Sequence, residues 1–210
     1  FMVESSTASN KIFKRLWEES NINIILKQRL KDRKYQFDIN LAIFITVLHR
    51  LFASGSDRSC EAWMQDYAIE GSEQLSLHHF YRAMAFLGSP LEDQAGKTPF
   101  APRCIKDLIE ESLFHRRRNL FTELELVFFD TTSIYFEGEG GTEIGQYGNS
   151  KDHRSDRKQM VVGAVLDDSG FPLCCEIWPG NTADVKTLIP IAKRLNRRFG
   201  VKRMCIVADR

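Results

Sequence analysis

Two short apolar runs in this chain each close on an aspartate. The first is Leu124 to Asp130 (LELVFFD), followed by Thr131 and Thr132. The second is Met204 to Asp209 (MCIVAD), followed by Arg210. Short runs rich in Val, Ile and Phe read as buried strands. A carboxylate just past such a strand is held rigidly at a sheet end, where open α/β sheets place their ligands. Neighbouring strands lie about 4.8 Å apart. Two carboxylates at matching ends would therefore clamp one divalent metal. Ordinary strand-end turns have the same spacing, so the pattern alone leaves both readings open.

The segments around these runs divide the chain. Before about residue 120 the apolar spacing is helical. Helices are expected over Lys11 to Glu19, Ile22 to Lys34, Asn40 to Ala53, Cys60 to Tyr67, Leu77 to Leu87 and Cys104 to Arg118. Ser, Gly and Pro clusters separate them, and Asp38 is placed to cap the third. After Leu120 the period shortens. Gly138 to Gly148 is a glycine-rich loop. Gln159 to Asp167 (QMVVGAVLD) is apolar at alternate and intervening positions, as a strand covered on both sides would be. Asp167-Asp168-Ser169-Gly170 is a turn leading to a strand from Phe171 to Trp178. Thr182 then opens a helix whose face is read as Val185, Leu188, Ile189, Ala192, Leu195 and Phe199, with Pro190 inside it and Gly200 stopping it. The core is expected at Met160, Val162, Val165, Leu173, Ile177, Leu188, Ile189, Leu195 and Val207.

The order strand, strand, strand, helix, strand has one economical solution. The first three form an antiparallel meander, and the helix crosses over to lay the fourth parallel beside the first. That is the opening of a ribonuclease-H-like sheet. The expected class is α+β: a helical N-terminal region over residues 1–120, then the N-terminal part of an incomplete ribonuclease-H-like catalytic domain over residues 121–210.

Bulk properties narrow little. The 43% apolar content is enough for a core in one or two domains. A formal net charge of +1 favours no class of partner, but Lys193 to Arg203 (KRLNRRFGVKR) and His115 to Arg118 are local basic clusters. The five cysteines have no C-x-x-C spacing, so a zinc site is not expected, and their odd number without a signal peptide points to a reducing cytoplasm. The longest apolar run, Leu41 to Leu48, is far short of the roughly 20 residues that span a bilayer.

Four words carry a resemblance: FFDTTSIYFEGEG around Asp130, GNSKDHR at Gly148 to Arg154, PGNTADV at Pro179 to Val185 and CIVADR around Asp209. Together they resemble the DDE transposases of bacterial insertion sequences, in the broad insertion sequence 4 group. The likeness is strongest from about Phe121 to Arg210 and weaker through the helical part. It implies metal-dependent phosphodiester cleavage and strand transfer at insertion-sequence ends. Asp130 and Asp209 are then catalytic metal ligands for Mg²⁺ or Mn²⁺, and the partner is double-stranded DNA, with self-association of the transposase. Lys151, His153, Arg154, Arg197 and Arg198 are the candidates for DNA contact. Ser155 stands where the family commonly has proline, a departure that touches no ligand.

The third ligand implied by the resemblance is a glutamate in a Y-R-E-K-type helix downstream, and no such word occurs in these 210 residues. The polypeptide alone is therefore expected to be inert. Its non-enzymatic alternative is a remnant that binds DNA or a full-length transposase without cutting. An aspartyl-phosphate phosphohydrolase is a further rival, although it would want an aspartate where Thr132 stands.

Overall fold

In a computed structural model, the chain is α+β: seven helices and a four-stranded mixed sheet among the described residues. The structure describes the chain except residues 1, 68, 96, 98–99, 101, 118–125, 139, 150–152, 184, 201–204 and 209–210. The side chains of 2–10, 185 and 208 also lie outside the description. Two compact units form. One comprises Phe1–Ser89 with Cys104–Ile109, the other Pro90–Arg103 with Glu110–Arg210.

The first unit is helical. It contains α1 (Met2–Glu19), α2 (Ile22–Leu30), α3 (Ile39–Phe52), α4 (Asp57–Met64), α5 (Leu77–Leu87) and the first residues of α6 (Ile105–Arg117). Helix α3 is its axis, because it is apolar nearly all round. Ile39, Ala42, Ile43, Ile45 and Leu48 are buried, together with Phe80, Ala83 and Phe86 of α5 and Cys60 and Met64 of α4. Asp38 caps α3 as its sequence position predicts, accepting from the Leu41 N–H at 3.0 Å. Ser56 does the same for α4 through the Ser59 N–H. No single helix among the described residues is long and apolar enough to cross a membrane.

The second unit is built on the sheet β3-β2-β1-β4. Strand β1 (Leu126–Tyr135) pairs antiparallel with β2 (Gln159–Asp167), and β2 antiparallel with β3 (Pro172–Pro179). Helix α7 (Val185–Phe199) then crosses over, and β4 (Cys205–Ala208) lies parallel beside β1. The β2–β3 turn closes as expected, with the Asp167 carboxylate accepting from the Ser169 and Phe171 N–H groups. Gly200, at φ 66°, ends α7, and its N–H donates to the Asn196 carbonyl.

The sheet buries one face. Val127, Phe129, Val161, Val165, Leu173, Cys174 and Trp178 pack with Ile191, Leu195 and Phe199 of α7 and Phe114 of α6. The expected core was right at Val165, Leu173 and Leu195 and displaced elsewhere. Met160, Val162 and Ile177 lie on the opposite, half-covered face of the sheet, and Leu188, Ile189 and Val207 are exposed, Ile189 at 68%. The inward stripe of α7 is Thr187, Ile191, Arg194, Leu195, Arg198 and Phe199, one position round from the apolar reading.

The cause is an ion cluster. Arg198 is 7% exposed. Its Nη1 donates to Glu176 Oε1 of β3 at 3.0 Å, its Nε to Glu111 Oε1 of α6 at 3.0 Å, and its Nη2 to Glu110 Oε2. Arg194 Nε reaches the same Glu176 oxygen at 2.8 Å. Arg103 joins through Glu111 at 2.6 Å and Asp93 at 3.0 Å. Glu110 also accepts from the Cys175 N–H of β3. Two arginines can face inward because three glutamates meet them there.

Removing one partner of such a cluster leaves buried charge uncompensated, at a cost of about 3–5 kcal/mol. Arg198→Ala is expected to lower unfolding free energy by that order, while Arg197→Ala, one residue away and exposed, changes it by less than about 0.5 kcal/mol. Urea denaturation of the two variants checks this, and equal effects would refute the assignment. A second expectation concerns pH. Burial, reinforced by Arg50, holds the His49 imidazole below its ordinary 6.5. The unfolded chain therefore binds the proton first, so stability is full above about pH 6.5 and falls on acidification. His49→Met should flatten that acid limb in denaturation measured between pH 7 and 5.

Candidate functional site

Asp130 sits in the middle of β1, not at its end. Thr131 to Tyr135 continue the strand, paired with Gly163 down to Gln159. The apolar reading stopped at Asp130 because polar Thr131, Thr132 and Ser133 follow. They are nonetheless good strand formers, and alternate ones point inward, as the buried Thr131 and Ser133 show. What does end near Asp130 is the described parallel pairing. Its last pair is Phe129 with Ala208, each the residue immediately before one of the two aspartates in sequence. Asp209 itself, and Lys151 of the basic loop, lie outside the described residues.

The Asp130 carboxylate is on the exposed face of the sheet, with Phe128, Thr132 and Ile134. Its one hydrogen bond among the described residues comes from the Thr131 N–H to Oδ1, at 2.7 Å. Oxygens so placed suit Mg²⁺ or Mn²⁺, which take one or two carboxylates and keep several waters. No group of three or more His, Cys, Asp or Glu is gathered for a metal among the described residues.

The basic candidates separate sharply. Arg197 is exposed on α7. Arg198 is not available to DNA: its guanidinium is buried and fully engaged with Glu110, Glu111 and Glu176. Arg197 and Arg198 were both expected to contact DNA, but an α-helix sends neighbours about 100° apart, and here Arg198 turns inward while Arg197 does not. His153 is exposed and holds a left-handed backbone at φ 57°. Arg154 makes two bonds to Asp156, at 2.9 and 3.0 Å, and lies 5.1 Å from the centre of the Tyr135 ring. Asp156 raises the guanidinium pKa, and Arg154 in turn lowers that of the carboxyl. Water screens an exposed pair of this kind, so a phosphate would displace it at little cost.

Sequence reasoning assigned no role to a cavity at the head of the β3–α7 connection. It has a volume of about 280 Å³ and is lined by Thr132 and Ser133 of β1, Asn149, Val161 and the stretch Gly180–Ala183. Its walls are fixed by backbone packing. A Cβ on Gly148 would lie 1.9 Å from the Gly180 carbonyl oxygen, and one on Gly180 would lie 2.1 Å from that of Gln159. The buried Gln159 ties the wall down through Nε2 to the Gly180 carbonyl at 3.0 Å. The lining comes from Thr132–Ser133, Asn149, Val161 and Gly180–Ala183, and nothing in the spacing of these residues says that they meet.

No protein-family model matches the chain, and no curated protein is similar to it in sequence. Solved structures give loose likenesses. The Mos1 strand transfer complex is 16% identical over 85% of this chain and 53% of that chain, with a TM-score of 0.27. A pre-cleavage Mos1 transpososome is 14% identical over 80% and 50%, with a TM-score of 0.23. A Mos1 mariner paired-end complex with Mn is 13% identical over 79% and 49%, with a TM-score of 0.22. The chain spans about half the length of these proteins. Superpositions this loose do not align side chains, and no residue role is carried over from them.

Gly180→Ala is expected to open the cavity wall and cost about 1–3 kcal/mol through forced backbone shifts. Gly138→Ala, with open space around the added methyl, should cost far less. Thermal unfolding of the two variants measures the difference, and equal midpoints would show that the Gly148–Gly180 packing is not tight.

Proposed function

We propose that this chain is the aspartate-bearing part of a DDE-type DNA transposase, related to the insertion sequence 4 group. One observation supports the reading above the others. The order β3-β2-β1-β4 lays β4 parallel to β1, with pairing described up to Phe129 and Ala208, the residues that precede Asp130 and Asp209. The four sequence words that suggested the family flank this sheet edge and its loops.

Asp130 and Asp209 are the residues proposed to hold Mg²⁺ or Mn²⁺. Such ions supply activation of a water or 3′-hydroxyl and neutralise charge on the leaving oxygen of a phosphodiester. The chain's own part is placement. Asp130 projects from the middle of a paired strand, where a carboxylate is oriented with little loss of freedom on binding. Exposed Arg197 and His153 and half-buried Arg154, with Lys151, are proposed to meet the backbone of double-stranded DNA, a contact that carries position and not sequence. The proposed place of action is the cytoplasm, and the transposase is proposed to self-associate on its DNA.

The metal part is testable without turnover. Mn²⁺ broadens amide resonances close to its site, so those of residues 129–131 are expected to disappear first in a ¹⁵N NMR titration. In Asp130→Asn that loss should need about tenfold more Mn²⁺ or more, the size of one charged contact. Unchanged broadening in the variant would remove Asp130 from the metal site. In a nicking assay the same chain is expected to be inert alone, and robust cutting abolished by Asp130→Ala would show that no further carboxylate is required.

A further inference from the structure

In the helical unit, the connection between α2 and α3 packs on α5 and seats two arginines on aromatic rings. Arg33 of that connection lies 5.3 Å from the centre of the buried Phe86 ring. Arg82 of α5 lies 5.6 Å from that of Tyr35 and 5.5 Å from that of Phe37. The rings form one continuous row. Tyr35 meets Phe86 and Phe37 edge-on, at 6.1 and 5.8 Å, and Phe37 meets His79 at 4.4 Å. Both arginines are exposed. Among the described residues neither has a carboxylate partner, and Arg33 reaches only Ser89 Oγ, at 3.4 Å. Exposed Lys31 and Lys34 flank Arg33, with Asp32 the one acid in that run, while Asp38 is engaged in capping α3. Elsewhere the chain matches ordered guanidiniums with carboxylates, as at Arg103, Arg154, Arg194 and Arg198. Here it orders two of them and leaves their N–H donors open.

We propose that Arg33 and Arg82 are a pre-set phosphate clamp on the helical unit, and that its partner is the backbone of DNA. The inference rests on the DNA-handling reading above and deepens it by assigning a contact surface outside the sheet unit. Charge complementarity selects the partner. A duplex carries one negative charge per about 1.7 Å of its axis, so guanidiniums on neighbouring rings can each find a phosphate. The planar fork of a guanidinium matches phosphate oxygens with two parallel bonds. The ring row does the positioning. A free arginine loses side-chain freedom on binding, whereas one already seated on a ring loses less. Lysine carries the same charge without the fork or the planar face. The clamp therefore depends on arginine and not on charge alone.

The test uses the 210-residue chain and a mixed-sequence DNA duplex, followed by fluorescence anisotropy at several salt concentrations, with poly-glutamate as a competing polyanion. The double variant Arg33→Ala/Arg82→Ala is expected to weaken binding by about tenfold or more, the usual effect of losing hydrogen bonds to a charged group. It should also lower the slope of log K against log salt by roughly two units, one for each lost phosphate contact. Arg33→Lys/Arg82→Lys keeps the charge, so the slope should stay that of the unaltered chain while affinity falls by about fivefold, the size of two exposed ring contacts. The lysine variant keeps the test decisive if the alanine variant is destabilised. Wild-type affinity in the lysine variant would show diffuse charge and overturn the clamp. Wild-type affinity in the alanine variant, with Arg197→Glu still weakening binding, would overturn this surface and leave the DNA reading standing. A chain that binds no duplex would overturn both. Poly-glutamate displacing the duplex with equal affinity per charge would overturn the choice of DNA in favour of an acidic protein partner.

Discussion

The sheet unit depends on finding carboxylates for one buried guanidinium. Arg198 touches α6 through Glu110 and Glu111 and β3 through Glu176. A charge taken out of water is tolerable only when its partners are complete. Any shift of α7 along or around its axis would strand Arg198 or Arg194, so the cluster fixes both the rotation and the height of the helix on the sheet. Phe199, one residue on, packs edge-on to Phe114 of α6, with ring centres 4.9 Å apart. Helix α7 in turn ends at Gly200 and sets where β4 can start. The parallel pairing of β4 with β1 follows from a polar lock, and apolar burial fills in around it.

That lock also explains which parts of the chain were legible in advance. The extent of α5, the cap at Asp38, the turn at Asp167–Gly170 and the strand order all follow from local rules of spacing and turn chemistry. They came out as read. The face of α7 did not, because apolar periodicity assumes that arginines point outward, and two of them point inward to glutamates 18 to 88 residues away. The reading of β2 failed differently. Met160 and Val162 are as apolar as Val161 and Val165, so the sequence cannot say which alternate set meets the helix. Strand β1 was cut short because Thr131 to Ser133 look like a turn until β2 is there to pair with them.

Asp130 was visible from its strand, while Asp209, read from the mirrored run, lies outside the described residues. The cavity was not visible at all. Thr132, Asn149 and Asn181 are ordinary residues in loops and strand, and only the close backbone approach of Gly148 to Gly180 gathers them. The cavity's shape arises from packing between segments separated by up to about 50 residues.

The central claim is that β1 and β4 bring Asp130 and Asp209 onto one divalent metal. Anomalous scattering from a crystal soaked in Mn²⁺ tests it most directly. The account predicts one strong peak at about 2.0–2.2 Å, the distance of a small hard cation from oxygen ligands, from a carboxylate oxygen of each aspartate. A peak bonded to neither, or Mn²⁺ held by other side chains with Asp130 left to solvent, would contradict it.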